Sequence, residues 1–465
     1  MKIRLFMALL IGKAAVVLSR LAGNQGTDFP GRIARRINPA VLSELAGNIK
    51  QGIIIVTGTN GKTTTSNIMA AIIQENGSAL VHNQEGANLI TGITTAFISA
   101  AGLFRRRYFD YAILETDEAN IPLLLDEIQP RAVLITNFFR DQLDRFGEPS
   151  AAIHMIKDAL KNKRDIELIL NADDPFLSDF EEQTGNKALF FGFAPADYEG
   201  STGGLDQMGK YCVICGHELD YRLSYYAQLG KYHCPSCNNK NPMADYTAYD
   251  LRMTPEIEFK IDEMQIKSPF QGFYNAYNIL AAAATARYLG IDDPVIKNAI
   301  MKHQPQAGRM EKFIINGQPC LLILVKNPAG FNQVLTMMTR EAGPKNLFIV
   351  LNDNAADGRD VSWIWDADAE IIASADTGVT EVICAGLRGA DMALRVKYAG
   401  IKPDNITIVS DLHSGIQRTL AGEGETAYIL CTYSALFECQ KILSRMQEQM
   451  LAAPPEYQRS KAGSN

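Results

Sequence analysis

The stretch Val56-Thr57-Gly58-Thr59-Asn60-Gly61-Lys62-Thr63-Thr64-Thr65 constrains this chain more than any other. It follows a β-branched run, Ile53-Ile54-Ile55-Val56, and leads into a helix-compatible segment starting near Thr63. Strand, glycine turn and helix N-terminus in that order form a phosphate cradle, because the N–H groups of the turn and of the first helical turn have no intrahelical acceptor. The common loop of this kind, G-x-x-x-x-G-K-[ST], needs glycine where this chain has Val56. Here the early glycine is Gly58, so the loop is a variant. Lys62 is placed to reach outer phosphates and Thr63 to hold Mg²⁺. Gly58, Thr59, Asn60, Gly61 and Thr64 complete the expected ATP-binding loop.

Beyond the loop, short apolar runs recur and each ends in polar residues. Tyr111-Ala112-Ile113-Leu114 ends in Glu115-Thr116-Asp117-Glu118, Ala132-Val133-Leu134-Ile135 in Thr136-Asn137, and Leu168-Ile169-Leu170 in Asn171-Ala172-Asp173-Asp174. Helix-compatible segments separate them, which is the pattern of a parallel α/β sheet. Ligands of such sheets bind beyond the carboxyl ends of the strands. Glu115 therefore stands where a Mg²⁺ carboxylate is needed, since a hard cation on phosphates takes one or two protein oxygens. Asp117 and Glu118 are weaker candidates. An alanine-rich helix is expected over 275–289, and a second α/β series from near Phe313.

Residues 192–249 break this rhythm. They hold Cys212-x-x-Cys215 and Cys234-x-x-Cys237, with Gly216 and Pro235 suited to tight turns. That spacing predicts a zinc ribbon in which four thiolates close a tetrahedral Zn²⁺ and leave no open position. The site is structural on this reading, so its loss is expected to release the insertion and leave the phosphate loop intact. His217 and His233 fall outside the ligand set. The other cysteines, Cys320, Cys384, Cys431 and Cys439, lie in apolar surroundings, which suits a reducing compartment rather than a disulfide framework. None reads as a nucleophile, and Cys384 lacks the glycine of a glutaminase elbow.

At 465 residues the length suggests roughly two to four domains. The net charge of −7 argues against a general nucleic-acid binder. The first residues, from Met1 to Leu21, are apolar and carry Lys2, Arg4, Lys13 and Arg20 with no acid. Lys13 interrupts the run, which makes a signal peptide a poor fit. An amphipathic helix packed on the body is expected, with a membrane-surface helix as the alternative. The loop Asn352-Asp353-Asn354-Ala355-Ala356-Asp357-Gly358-Arg359-Asp360 packs three acids and an arginine behind a strand. It reads equally well as a functional loop or a solvated one. The tail from Ala452 is rich in proline and polar residues and reads as disordered.

Taken together these motifs resemble the Mur ligase superfamily: the loop Thr-Gly-Thr-Asn-Gly-Lys-Thr-Thr-Thr, Glu115, Thr136-Asn137 followed by Asp141-Gln142-Leu143-Asp144, Asn171-Ala172-Asp173-Asp174, Asn275-Ala276-Tyr277-Asn278 and Gly308-Arg309. Three departures narrow the resemblance. Only about fifty residues precede the loop, four cysteines interrupt the central part, and Val325-Lys326-Asn327-Pro328-Ala329-Gly330 replaces the usual C-terminal motif. With Ala356-Asp357-Gly358-Arg359-Asp360, these features are similar to the MurT-type branch, the synthetase subunits of lipid II isoglutaminyl synthase.

The resemblance implies a fold, an activity and site residues. The fold is α/β: a helical segment over 1–48, a P-loop-type central domain over 49–308 with a zinc-ribbon insertion at about 195–250, a Rossmann-like domain over 309–451, and a tail over 452–465. The activity is ATP-dependent amidation of the D-glutamate α-carboxylate of lipid II, through an acyl phosphate, in the cytoplasm and at the inner face of the membrane. Ammonia comes from a GatD-like glutaminase partner. The resemblance adds Asn275, Asn278 and Arg309 to the ATP site. It also makes Asp360 the acid that completes the partner's glutaminase triad, with Asp353 and Asp357 as alternates. Gln142 stands where many members carry histidine near a second metal. Two other readings remain: a folate-type polyglutamate ligase, and an ATP-binding zinc-ribbon module acting on nucleic acid.

Overall fold

The computed structural model describes residues 3–22, 26–83, 87–139, 149–195, 207–253, 256–304 and 309–451. The described residues up to Gln304 form one compact unit and those from Arg309 a second. The first unit opens with helices α1 (Ile3–Leu21), α2 (Phe29–Ile37) and α3 (Val41–Ala46). Then follow β1 (Ile49–Thr57), α4 (Lys62–Glu75), β2 (Leu80–His82), α5 (Ile90–Ala100), β3 (Phe109–Glu115), α6 (Ile121–Glu127), β4 (Ala132–Ile135), the helix Pro149–Leu160, β5 (Glu167–Asn171) and β6 (Ala188–Phe193).

These strands lie in one sheet in the order β2, β3, β1, β4, β5, β6, and every neighbouring pair is parallel. Ile54, Ile55, Ala112, Ile113, Val133, Leu134, Leu168 and Ile169 are fully buried. Helices cover both faces, which is why the strands read as unbroken apolar runs. Winding reverses at β1: β3 and β2 lie on one side, β4 to β6 on the other. The crevice at such a reversal is where α/β sheets bind ligands.

After β6 the chain leaves the sheet for a separate two-stranded ribbon, β7 (Asp220–Tyr226) and β8 (Leu229–His233). It returns with β9 (Tyr246–Arg252), which pairs parallel to β6 in the register Phe191 to Tyr246. The large sheet thus resumes within the stretch assigned to the insertion. Two antiparallel strands, β10 (Ile257–Ile261) and β11 (Met264–Ser268), extend it to nine. In β10, buried Ile257, Phe259 and Ile261 alternate with half-buried Glu258 and Lys260, as expected when one face meets solvent. The helix Phe273–Tyr288 then packs on α4.

The second unit begins with the hairpin β12 (Arg309–Ile315) and β13 (Gln318–Leu324). Asn316 and Gly317 turn it, both at positive φ (+53° and +80°), the signature of a twist-matched two-residue turn. Strands β14 (Lys345–Val350), β15 (Val379–Ala385), β16 (Ile406–Ile408) and β17 (Thr426–Cys431) complete a six-stranded sheet in the order β12, β13, β17, β14, β15, β16. All pairs but the hairpin are parallel.

The α1, α2 and α5 cluster depends on close helix contact. The Gly31 N–H donates to Thr95 Oγ1 at 2.8 Å, and a Cβ on Gly31 would lie 1.9 Å from the Thr91 carbonyl oxygen. Gly31→Ala should push α2 off α5 and destabilise the unit by about 1–3 kcal/mol. Gly47→Ala, whose new methyl would meet nothing nearer than 3.7 Å, should stay within about 0.5 kcal/mol of the parent. Denaturant midpoints measure both, and an unchanged midpoint for Gly31→Ala would contradict this packing.

Candidate active site

β1 ends at Thr57 and α4 begins at Lys62, so positions 58–61 make the whole turn. Gly58 and Gly61 hold φ of +117° and +86°. A Cβ on Gly58 would fall 2.4 Å from Thr136 Oγ1, and one on Gly61 2.0 Å from Asn278 Oδ1. The turn is therefore pressed between the end of β4 and the helix Phe273–Tyr288. Thr136-Asn137 acts as its wall. The Thr59 N–H donates to the Asn137 carbonyl at 2.8 Å, the Asn60 N–H to Asn137 Oδ1 at 2.9 Å, and Thr136 Oγ1 to the Asn60 carbonyl at 2.7 Å. Asn278 Nδ2 donates to Asn275 Oδ1 at 3.1 Å, which ties both expected asparagines to one side of the loop. Thr64 is buried in the first turn of α4, and Arg309 is the first residue of β12.

Lys62, Thr63 and Glu115 converge. Thr63 Oγ1 donates to Glu115 Oε1 at 3.0 Å, and Glu115 is 3% exposed at the end of β3. Asn83 clamps that strand end: its Oδ1 accepts the Glu115 N–H at 2.9 Å and its Nδ2 donates to the Glu115 carbonyl at 2.7 Å. Lys62 Nζ donates to the Gly58 carbonyl at 2.5 Å and pairs with Glu118 Oε2 at 3.2 Å. Glu118 is thus the lysine's partner. Asp117 caps the short turn Glu118–Asn120 by accepting the Ala119 N–H at 3.1 Å. A hydroxyl and a carboxylate oxygen at a helix N-terminus are the hard donors that a Mg²⁺ on phosphates takes.

Asp173 and Asp174 stand at the end of β5, both fully buried. Asp174 accepts the Phe138 N–H at 2.8 Å and the Phe176 N–H at 3.1 Å, and burial nevertheless pushes its carboxyl up to about 7. Asp173 Oδ1 pairs with Lys231 Nζ at 2.5 Å, and its Oδ2 accepts Tyr277 Oη at 2.9 Å. Lys231 belongs to the ribbon. From the same hairpin, Gln228 Nε2 donates to the Phe138 carbonyl at 2.5 Å, and Tyr226 packs on Phe139 with ring centroids 5.0 Å apart. Tyr226 Oη accepts from Asn60 Nδ2 at 3.4 Å. The hairpin tip thus leans on the phosphate loop and its wall. Sequence spacing carried no sign of Tyr226, Gln228 or Lys231 here, because their partners lie 58 to 166 residues away.

Cys212, Cys215, Cys234 and Cys237 bring their sulfurs within 4.8 Å of one another. Two matching turns hold them: the Gly216 N–H donates to the Cys212 carbonyl at 2.8 Å and the Asn238 N–H to the Cys234 carbonyl at 3.0 Å. The Asn239 N–H pulls the Cys237 thiol down, but desolvation and the thiols of Cys215, Cys212 and Cys234 push it up to about 12. Four sulfurs this close cannot ionise together without a cation between them, and a tetrahedral soft-donor set fits Zn²⁺. His217 and His233 stay outside the cluster; His233 Nδ1 instead lies 3.7 Å from Asp220.

In the second unit the three candidate acids are treated differently. Asp357 is buried and bonded to Ser434, accepting both its N–H and its hydroxyl at 2.6 Å. Asp353 Oδ2 takes Arg388 Nε at 2.8 Å. Asp360 is partly exposed, and among the described residues its Oδ1 accepts the local Ser362 N–H at 2.8 Å. Lys157 is clamped by both oxygens of Asp179 at 2.6 Å and lies over the Phe180 ring. The segment Asp141-Gln142-Leu143-Asp144, Gly308 and the tail from Ala452 lie outside the described residues.

Comparison with known proteins gives this geometry its context. Residues 56–220 match the Mur ligase middle domain, and residues 324–436 match the MurT ligase C-terminal family. The chain is 36% identical over 445 residues to a protein of Staphylococcus aureus named lipid II isoglutaminyl synthase (glutamine-hydrolyzing) subunit MurT, covering 96% of this chain and 99% of that one. A Streptococcus pneumoniae protein of the same name is 36% identical over 455 residues, covering 96% of this chain and 98% of that one. Among solved structures, a pseudomurein peptide ligase type C from Methanothermus fervidus superposes with a TM-score of 0.65 at 22% identity, over 86% of this chain and 79% of that one. MurF from Acinetobacter baumannii does so with 0.62 at 16% identity, over 90% and 80%. The structural likenesses establish the Mur ligase fold, and the near full-length identity establishes more: the chain belongs to the MurT family of Mur ligases.

Proposed function

We propose that this chain is the synthetase subunit of a lipid II isoglutaminyl synthase. It would amidate the α-carboxylate of D-glutamate in the lipid II stem peptide at the expense of ATP, with ammonia supplied by a GatD-like glutaminase. What carries this reading is the convergence of Lys62, Thr63 and Glu115 at the head of α4, in a chain 36% identical along its length to subunits of that name.

A carboxylate is a poor acyl donor, so the reaction needs a leaving group, which a phosphoryl from ATP provides. Residues 58–64 would cradle the phosphates with backbone N–H groups and the N-terminal field of α4. Phosphate oxygens would compete with the Gly58 carbonyl and Glu118 for the Lys62 ammonium, which then offsets the charge that develops as the phosphoryl moves. Thr63 and Glu115 would hold Mg²⁺, which when bound draws charge from the phosphate oxygens. Asn275 and Asn278 would complete the nucleotide site of the first unit. On this reading residues 49–308 bind ATP and residues 309–451 carry the glutaminase-docking part.

Asp360 is the best placed of the three acids to serve a partner's histidine, because Asp357 is committed to Ser434 and Asp353 to Arg388. Its carboxylate would fix the histidine tautomer and stabilise the charged ring. The four cysteines would hold Zn²⁺, and the ribbon so stiffened would brace the phosphate loop through Tyr226 and Lys231.

Reconstitution with ATP and lipid II tests the assignment. Lys62→Ala should lower amidation by about a thousandfold or more from either free ammonia or glutamine plus partner. Appreciable ammonia-driven product from this variant would remove the ATP-site assignment. Asp360→Asn should split the two halves: glutamine-driven amidation falls by roughly a thousandfold while ammonia-driven amidation survives. Loss of both would place Asp360 in the ligase site or the fold, and loss of neither would move the triad acid elsewhere. Cys212→Ser with Cys215→Ser should release the metal and raise the ATP dissociation constant at least about threefold, as the hairpin tip leaves the loop. Elemental analysis and calorimetry read the two effects. Wild-type protein without zinc would exclude the ribbon site, and an unchanged dissociation constant would exclude the bracing.

A further inference from the structure

Helix α1 carries two apolar stripes on opposite sides. Ala8, Leu9, Gly12, Ala15 and Val16 are buried against α2 and α5. Ile3, Met7, Leu10, Ala14, Val17 and Leu21 repeat every three or four residues along the other side, and all of them are exposed. Ile3 and Leu21, at its two ends, are 82% and 79% exposed. A soluble-facing helix normally turns a polar face outward. This one turns outward a face as apolar as the one it buries.

The stripe has neighbours of a single charge sign. Arg4 flanks it on one side and Lys13 and Arg20 on the other, by helical spacing. Loop 102–108 continues the surface: Phe104, 85% exposed, sits 6.3 Å from the Phe6 ring, centroid to centroid. Arg105, Arg106 and Arg107 follow it directly. Neither α1 nor this loop contains an acid. Lys13 Nζ donates to the Ser99 carbonyl at 3.0 Å, and burial, then the nearby Arg107 charge, lower its ammonium below the ordinary value. Among the described residues no helix is long and apolar enough to cross a membrane.

We propose that the outward face of α1, with loop 102–108, is a docking surface for an anionic lipid bilayer. The apolar stripe and Phe104 enter the boundary between headgroups and acyl chains, and the flanking Arg and Lys side chains extend to lipid phosphates. A protein partner could cover an apolar stripe, but a rim of six cations and no acid matches an anionic lipid surface. From the preceding reading this inference takes only that the substrate is carried by a membrane. The helix would then hold the first unit against the surface on which that substrate lies.

Flotation of the full-length chain with vesicles tests it, without nucleotide or stem peptide. The wild type should float with vesicles containing roughly a third phosphatidylglycerol, more weakly with pure phosphatidylcholine, and less as salt rises. Leu10→Ser with Val17→Ser, and separately Phe104→Ser, should weaken partition at least about tenfold. Replacing Arg105, Arg106 and Arg107 by Gln should abolish the preference for anionic lipid. Thermal midpoints and amidation of detergent-dispersed lipid II should be unchanged in all of them. A wild type that does not float, or variants that float equally well, overturns the proposal. So does sedimentation showing a dimer that Leu10→Ser with Val17→Ser dissociates, since the face would then be a contact between copies. Failure of amidation with intact flotation would count against the ligase reading alone.

Discussion

The contact on which the first unit's chemistry rests is the one between a glycine turn and the two elements that press on it. Gly58 leaves no room for a side chain beside Thr136, and Gly61 leaves none beside Asn278. The wall at Thr136-Asn137 can reach the turn only because β4 pairs directly with β1, in the register Thr57 to Ile135. The strand order, the helix Phe273–Tyr288 and the loop are thus parts of one constraint. Carbonyls and hydroxyls of the wall satisfy the inward polar groups of the turn. That leaves the N-terminus of α4, with Lys62 and Thr63, to face a ligand.

Much of this was legible in the sequence, and for local reasons. A phosphate loop, a fully buried parallel strand and a C-x-x-C pair each encode their geometry within about ten residues. The strands ending at Glu115, Ile135 and Asn171 were readable because two-sided burial leaves an unbroken apolar run. What stayed hidden depends on contacts between distant segments. The ion pair of Lys62 with Glu118 joins residues 56 apart, and that of Lys231 with Asp173 joins residues 58 apart. The strands β9 to β11 left no such signal, since a half-exposed antiparallel strand alternates with polar residues and leaves no apolar run. Helix α1 shows a different limit. Its composition reveals apolar residues all round, but periodicity cannot say which stripe the body covers.

Among the three acids of loop 352–360 the sequence could not choose, because all three are aspartates in similar company. Packing separates them. Asp357 is drawn inward to bond the start of the helix Tyr433–Leu451 at Ser434. Asp353 is neutralised by Arg388 at the head of the helix Gly389–Tyr398. Both hold the loop's shape, and their work leaves Asp360 at a partly exposed position with one local backbone bond. Arg395 steadies the segment just beyond it, donating to the Ile364 and Ala367 carbonyls at 2.9 and 2.8 Å. On the proposed reading such fixed surroundings would matter, because a mobile carboxylate would lose entropy on orienting a partner's side chain.

The ribbon answers a charge problem at the end of the first sheet. Five buried acids, Glu115, Asp117, Glu118, Asp173 and Asp174, crowd the carboxyl ends of strands that, on the proposed reading, receive a polyanion. Each needs a local partner if the site is not to repel phosphate. Glu118 takes Lys62 and Glu115 takes the Thr63 hydroxyl, while Asp174 is held by backbone N–H groups and pushed toward its neutral form. Among the described residues, the cation that pairs with Asp173 is Lys231 of the hairpin. A small two-stranded sheet has little core of its own, here Cys212, Leu219, Tyr232 and Cys234 with Tyr221 against them. Such an element keeps a lysine at a fixed place only if something else stiffens it, and a metal held by the four thiolates would supply that stiffness.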